Sequence, residues 1–504
     1  MHLKKCNGFV LTVGDVFFAK DKEVLFKKVS RIFSENYSSV NYPEVVNFTK
    51  SNRNTNKNMR YSIIGGSDAG ISAAFRIKQI DKKAKVDIFL ADRFPNFSIC
   101  GIPFYISKEV TNWQHLAHRT IKEITSIGIN IFTNHFVSEI DTTSKRIVIN
   151  SESFYYDKLL IATGARSVVP KIEGYNLQGV FTLRWIDEML QLDEYISKNK
   201  VEKVLVIGGG YIGLEMADAF TVRGLKVILA EFLPNVLSTV DPVFGEIVKQ
   251  KLEQKSVEVL TSTAIENIFQ QNSRLTVKGS NDFITEVDMV LVAIGAMPEN
   301  SLAKSINLGL GIKGAIKTNV KMQTSLTDVF AAGDCVETYH ALLKQNTYIP
   351  LGTTAHKQGR VAGENMAGGS VEFHGSLGSQ VVKIFDLVAG RTGLNDSDCE
   401  KHNLPHLTVE SEFWDHKSYY PGASKLKIRI TGNPLTGQLY GAQIIGCAGS
   451  EISKRIDIIA AAIHNNYSVE QLNHLDLTYT PPLSSPWDSI QMAAQEWVNK
   501  NANN

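Results

Sequence analysis

Val204-Leu205-Val206-Ile207-Gly208-Gly209-Gly210-Tyr211-Ile212-Gly213-Leu214-Glu215 runs four aliphatic residues into a complete G-x-G-x-x-G and then into an apolar helix start. The spacing predicts a strand, a tight turn and a helix. Gly208, Gly210 and Gly213 let the backbone turn sharply and come close to a ligand, and the helix N-terminus faces a dinucleotide pyrophosphate. The next apolar run, Lys226–Ala230, ends at Glu231, 23 residues after Gly208. A carboxylate there accepts hydrogen bonds from the ribose hydroxyls of NADH and repels the 2′-phosphate of NADPH. Residues 232–238 supply no Lys or Arg to offset that charge, so NADH is expected over NADPH. The apolar run Val287–Gly295 adds Gly295 to the same expected site.

Upstream, Tyr61-Ser62-Ile63-Ile64 enters a degenerate fingerprint, Gly65-Gly66-Ser67-Asp68-Ala69-Gly70, with Ser67 at the middle glycine position. Asp92, 22 residues beyond Gly70, supplies the ribose acid. Two βαβ units of this kind predict an α/β chain with two doubly wound nucleotide-binding domains, the second inserted in the first. After about residue 374 the pattern changes to extended segments, including Leu426–Ile430 and Leu439–Ile445, and then a helix near Glu451–His464. This predicts a C-terminal α+β domain. The expected boundaries are 59–175 with 301–370 for the first domain, 176–300 for the second and 371–504 for the third. Residues 1–58 end in a polar tract, Ser51–Asn58, too poor in apolar residues to order itself, and are expected to be an extension preceding a functional start at Met59. A small helical appendage over Lys22–Phe33 is the alternative.

The 504 residues carry a net charge of +2, with 43% hydrophobic and 21% charged residues, which gives no electrostatic case for nucleic acid or an anionic membrane. No apolar run approaches the roughly 18 residues of a membrane span. Cys6, Cys100, Cys335, Cys399 and Cys447 are odd in number and lack CxxC spacing, which argues against a disulfide framework and a zinc site and fits a reducing cytoplasm. Cys335, Cys399 and Cys447 read as small buried hydrophobes.

Cys100 is different. It lies in Asn96-Phe97-Ser98-Ile99-Cys100-Gly101-Ile102-Pro103-Phe104-Tyr105, between the two fingerprints and with no second cysteine in reach. Together with Ala162-Thr163-Gly164, Gly208–Gly213 and Ala331-Ala332-Gly333-Asp334, this chain resembles the pyridine nucleotide-disulfide oxidoreductase superfamily over about residues 60–495. The resemblance implies FAD at the first site, held by Gly65, Gly66, Ser67, Gly70, Asp92, Thr163, Gly164, Gly333 and Asp334. Asp334 would take the flavin's ribityl chain. NAD(P)H is implied at the second site. Where glutathione reductase-like members place a second cysteine, this chain has Tyr105, and their C-terminal His-x-x-x-x-Glu dyad is missing. The chain is therefore similar to the single-cysteine branch, which includes CoA-disulfide reductase, NADH oxidase and peroxidase, and persulfide or polysulfide reductases.

His416–Gly422 and Tyr479–Ser485 look most like CoA-disulfide reductase. The likeness implies that Tyr419 and Tyr479 reach across a homodimer to the partner subunit's redox cysteine. Lys454-Arg455-Ile456-Asp457 matches that family's dimerisation domain. The implied reaction reduces a small disulfide or persulfide, CoA-linked or not, through Cys100, which must be a thiolate to act. Peroxidases and oxidases of the branch carry a histidine in the first glycine turn; Asp68 stands there instead, and a carboxylate disfavours a nearby sulfur anion. Ile99 replaces the Asn usual in CoA-disulfide reductases. Arg76 and Lys78 are either CoA-phosphate ligands or plain surface charges. A reductase that passes electrons from FAD straight to a protein partner is the other reading.

Overall fold

A computed structural model describes residues 59–271 and 274–503, so the expectations for residues 1–58 and for Cys6 lie outside the described residues. The chain enters on β1 (Arg60–Ile64), helix α1 (Asp68–Ile80) and β2 (Lys85–Phe89), then continues through a short helix α2 (Ile102–Ile106), β3 (Ile129–Phe132) and β4 (Lys158–Ile161). It then builds a second sheet from β5 (Val180–Thr182), β6 (Lys203–Ile207), β7 (Lys226–Ala230), β8 (Glu258–Leu260) and β9 (Met289–Val292). Helices α3 (Ile186–Lys198), α4 (Tyr211–Val222) and α5 (Pro242–Gln254) accompany those strands. Only afterwards does β10 (Val329–Ala331) return to complete the first sheet, in the order β10-β4-β1-β2-β3. The second sheet is ordered β8-β7-β6-β9-β5, so one doubly wound unit is inserted in the other.

These strands are mostly aliphatic because both faces are covered, by helices on one side and by a small antiparallel sheet on the other. The small sheets bring Ile140, Ile147 and Ile149 to the first sheet and Ile268, Leu275 and Val277 to the second. Ile63, Ile88, Leu160 and Ala331 are fully enclosed in the first sheet, and Val204, Leu205, Val206 and Leu291 in the second. Each of the Val, Leu and Ile side chains among them contributes roughly 1.5–3 kcal/mol of burial. In α1, Ile71, Ala74 and Ile77 recur at helical spacing and form the buried face. After α6 (Gly352–Met366) come five antiparallel strands, β11 (Gln380–Ile384), β12 (Leu387–Gly393), β13 (Leu407–Trp414), β14 (Lys425–Gly432) and β15 (Leu439–Cys447), ordered β11-β12-β15-β14-β13. Helices α7 (Ile452–His464) and α8 (Ser489–Ala502) share one core with them; within it Trp497 is 2% exposed and its indole donates to the Leu407 carbonyl at 2.8 Å.

The expected strands and helices are present, with ends shifted by a few residues. Asp92 and Asp334 each stand three residues past a strand end, that of β2 and that of β10. Cys335 and Cys399 are buried as expected, whereas Cys447 is exposed, because it closes β15 where the strand leaves the core.

Candidate active site

Parallel register aligns the ends of the strands. Ile64 pairs with Phe89 and with Ile161, and Ala331 pairs with Ile161, so the loops that follow all leave one edge of the first sheet. Gly65, Gly66, Ser67 and Gly70, Asp92, Thr163 and Gly164, and Gly333 and Asp334 are therefore gathered there, although they are spread over 270 positions of sequence. In the second sheet Ile207 pairs with Ala230 and Val292, which gathers Gly208, Gly210, Gly213, Glu231 and Gly295 in the same way. This is the carboxyl edge at which open α/β sheets bind ligands.

The two glycine turns are built alike. Gly65 and Gly208 have φ of +108° and +109°. A Cβ on Gly70 would meet the Gly65 carbonyl at 1.9 Å, and one on Gly213 would meet the Gly208 carbonyl at 1.9 Å. Ser67 is thus tolerated, since the two crowded positions keep their glycines. At Gly164, Gly210 and Gly295 an added Cβ would meet nothing within 4 Å, so these glycines border open space. Beside the first edge, the Asn96 Nδ2 and Gln358 Nε2 groups are buried without a partner. Glycine-lined space and orphaned donors at one sheet edge suit a phosphate- and carbonyl-rich dinucleotide. At the second edge, Glu231 Oε2 accepts from Gly209 N at 2.5 Å and Oε1 from Leu233 N at 2.7 Å, which fixes the carboxylate beside the turn.

Cys100 lies in a single 3-10 turn, Ile99–Gly101, leading into α2. The segment is pinned to the first glycine turn, where Asn96 N donates to the Gly66 carbonyl at 2.8 Å. Ile99 packs against the second core, which gives the sulfur an apolar flank. Tyr105 is nearly buried, and its hydroxyl donates to Asp193 at 3.0 Å, so the position of the missing second cysteine is filled by a structural bond. Cys100 shows a face to solvent in the single chain, yet burial of its sulfur is the largest effect on it and pushes the thiol up. The carboxylates of Glu215, Asp68 and Asp334 push the same way, and Arg184 pulls down. The protein alone therefore does not activate the thiol.

Sequence reading missed three residues, two that act on the Cys100 sulfur and one that contacts Asp68. Arg184, just before α3, donates to Asp334 Oδ2 at 2.8 Å and to the Ala165 carbonyl at 2.6 Å. Glu215 follows the fingerprint in the quoted stretch itself, and burial followed by the charge of Asp218 raises it to about 7. His356 on α6 contacts Asp68 across α1. Only Glu215 carried a local signal, its place directly behind the glycine turn. Arg76 and Lys78 are both engaged internally. Arg76 pairs with Glu364, while Lys78 Nζ donates to the carbonyls of Lys82 and Ala84 at 2.7 and 2.9 Å, so a role for either at CoA phosphates has no free charge behind it.

Residues 59–359 match the family described as pyridine nucleotide-disulphide oxidoreductase, and residues 379–489 match its dimerisation domain. The chain belongs to the pyridine nucleotide-disulphide oxidoreductases. Membership in this oxidoreductase family implies FAD and NAD(P)H, which the two sheet edges fit. The chain is 36% identical over 437 residues to the NAD(P)H sulfur oxidoreductase (CoA-dependent) of Pyrococcus furiosus, covering 86% of this chain and 98% of that protein. It is 34% identical over 454 residues to the NADH oxidase of Methanocaldococcus jannaschii, covering 88% and 100%. Among solved structures it matches the NAD-dependent persulfide reductase from A. fulgidus with a TM-score of 0.85 and 33% identity, over 88% of this chain and 84% of that one.

In the oxidoreductase's dimerisation domain, Tyr419 and Tyr479 are 73% and 44% exposed. Their loops are joined where Lys417 N donates to the Pro481 carbonyl at 3.3 Å. Arg455 holds the same region from beneath, donating to Asp488 and to the carbonyls of Ser450 and Asp415. The fold thus brings the loops of the two tyrosines together, and Leu483 and Trp487, further along the second loop, are exposed as well. It does not bring them to the Cys100 of their own chain by any hydrogen bond among the described residues. Among those residues no helix is long and apolar enough to cross a membrane.

Proposed function

We propose that this chain is an FAD-dependent NAD(P)H:disulfide oxidoreductase that reduces a small disulfide or persulfide through Cys100, and that it is most like a CoA-disulfide reductase. The observation that carries the reading is Cys100 itself. It is hydrogen-bonded by its own segment to the first dinucleotide turn, lies within electrostatic reach of Glu215 from the second, and has Tyr105 bonded into the place of a second cysteine. The names of the Pyrococcus and A. fulgidus relatives support sulfur chemistry.

FAD and NAD(P)H, when bound, supply the two electrons by hydride transfer from nicotinamide to flavin and onward transfer to sulfur. The chain's own part begins with Cys100 as thiolate. Its sulfur displaces one sulfur of the substrate, forming a Cys100 mixed disulfide or persulfide and releasing a thiolate. Addition of two electrons then restores the Cys100 thiolate and frees the second thiol or hydrosulfide. Ile99 offers the substrate an apolar wall. Asp334 and Thr163–Gly164 orient the first cofactor, and Glu231 favours NADH at the second. Tyr419 and Tyr479 act from the partner subunit of a homodimer, where their hydroxyls donate to the departing sulfur. A cytoplasmic setting keeps Cys100 reducible.

Cys100→Ser is expected to abolish NADH-dependent reduction of CoA disulfide and of persulfides while the protein stays yellow with FAD. Turnover in that variant would overturn the reading in favour of direct electron transfer from FAD to a protein partner. Anaerobic NADH titration with mass spectrometry of Cys100 identifies the sulfur partner, since a CoA-sized adduct released on reduction marks CoA chemistry. The name of the Methanocaldococcus relative favours a second reading, an NADH oxidase. Against it stands the first glycine turn, where Asp68 takes the place of the histidine that the oxidases of this branch carry. Oxygen uptake with NADH as sole donor separates the two.

A further inference from the structure

Asp68, in the first glycine turn, does not stand alone. His356 Nε2 lies 3.3 Å from its Oδ1, and His356 Nδ1 lies 2.8 Å from the Ser72 hydroxyl. Asp68 and Ser72 are four residues apart on α1 and so share one face, which grips both ring nitrogens of a residue on another helix.

The grip is set by backbone contact between the two helices. A Cβ on Gly359 would meet the Ala69 carbonyl at 2.1 Å, and one on Gly363 would meet the Ala73 carbonyl at 2.4 Å. With α1 and α6 this close, their register has little freedom, and His356 falls opposite Asp68 and Ser72. At Gly352 a Cβ would come within 2.9 Å of Asp68 Oδ2, so the carboxylate is confined on that side too. His356 is raised above its ordinary value, first by its hydrogen bond to Asp68, and burial opposes this. It therefore carries its proton further towards neutral pH than a free histidine.

We propose that His356 is a positioning residue for Cys100 that acts through Asp68, its imidazolium screening the one carboxylate of the glycine turn so that the thiolate of Cys100 can form. The inference rests on the redox role of Cys100 argued above. Around the sulfur, Glu215 from α4 and Asp334 from the loop after β10 are the other negative groups, and Arg184, just before α3, is the positive one. Facing His356 from α1 are Asp68 and Ser72. When His356 is protonated, it and Asp68 together carry no net charge. When His356 loses its proton, Asp68 faces the sulfur unscreened and opposes the thiolate.

The two members must then act on Cys100 with opposite signs, which a purely structural clamp would not do. The test is the alkylation rate of Cys100 by iodoacetamide across pH 5–9, read by mass spectrometry of the Cys100 peptide in the full FAD-loaded chain and again after flavin removal. Asp68→Asn is expected to react about threefold faster than the parent at pH 7, and His356→Gln about threefold slower, corresponding to shifts of roughly half a pH unit. The double variant is expected to match Asp68→Asn. Shifts in the same direction, or none, overturn the proposal. Should His356→Gln not fold, Asp68→Asn decides alone, and an unchanged or slower rate overturns it. Turnover of Cys100→Ser keeps the two ideas apart. Activity in that variant removes the redox role of Cys100, whereas inactivity with unmoved alkylation removes only the role of His356.

Discussion

Arg184 and Asp334 meet at the carboxyl edge of the first sheet, Nη2 2.8 Å from Oδ2, with side chains only 10% and 18% exposed. One comes from the segment between β5 and α3 of the inserted unit and the other from the loop after β10, so this ion pair joins the two units, as Arg93–Asp187 and Lys108–Asp193 do nearer the surface. Burial pushes Asp334 up and Arg184 pulls it down. Arg184→Met leaves a buried carboxylate without its partner, and breaking such pairs costs about 3–5 kcal/mol. The expected result is a lower melting temperature and weaker flavin retention. Arg184→Met/Asp334→Asn should recover part of the stability, which thermal denaturation in both variants checks.

Glu215 gives a stability change with a defined sign. Its folded-state value, about 7, lies above its ordinary 4.5 because of burial first and Asp218 second. The folded chain thus holds a proton that the unfolded chain has released, and the associated stability is complete below about pH 4.5 and lost as pH rises through 7. Glu215→Gln removes the dependence. The variant is expected to be more stable than the parent at pH 8, by up to roughly 3 kcal/mol, and equal to it below about pH 4.5. Denaturant melts at the two pH values measure the difference.

Tyr419→Phe and Tyr479→Phe are expected to lower disulfide turnover by about a hundredfold, the low end for loss of a proton-donating group, with little change in stability, because both side chains are exposed in the single chain. Subunit mixing adds the decisive arm. Combining Cys100→Ser subunits with Tyr419→Phe/Tyr479→Phe subunits should restore activity in mixed dimers, each of which holds one complete site. Absence of complementation would place the tyrosines' action within one chain.

Glu231 accepts from two backbone amides, Gly209 and Leu233, and its charge stands at the end of β7. Glu231→Ser is expected to raise KM for NADH and lower it for NADPH, moving the ratio of the two kcat/KM values by about tenfold or more. Steady-state kinetics with both nucleotides, at saturating disulfide, checks this.

Much of this chain was legible in its sequence because its signals are local. Gly208–Gly213 between an aliphatic strand and a helix, with Glu231 behind, fixes a turn by steric necessity, and the crowding of a Cβ at Gly213 against the Gly208 carbonyl is the reason. Ser67 weakened the first fingerprint on paper without harming the fold, since Gly65 and Gly70 carry the close contacts there. Lys78 shows the opposite. Its charge and helical position invite a surface role, but the fold turns it inward onto two carbonyls. For Cys447 the sequence alone suggests a small buried hydrophobe, and the strand end leaves it exposed.

By itself the sequence determined two dinucleotide folds, one inserted in the other, a third α+β domain and one unpaired cysteine between the fingerprints. These follow from short-range patterns of glycine, aliphatic and acidic residues whose meaning depends on their immediate neighbours. Only the tertiary structure decided what surrounds that cysteine. Arg184 and Glu215, whose charges reach its sulfur, and His356, which contacts Asp68, come from separate elements 84, 115 and 256 positions further along the chain. Parallel strand register and the glycine contact between α1 and α6 bring them to one place, and no local pattern encodes a meeting of that kind.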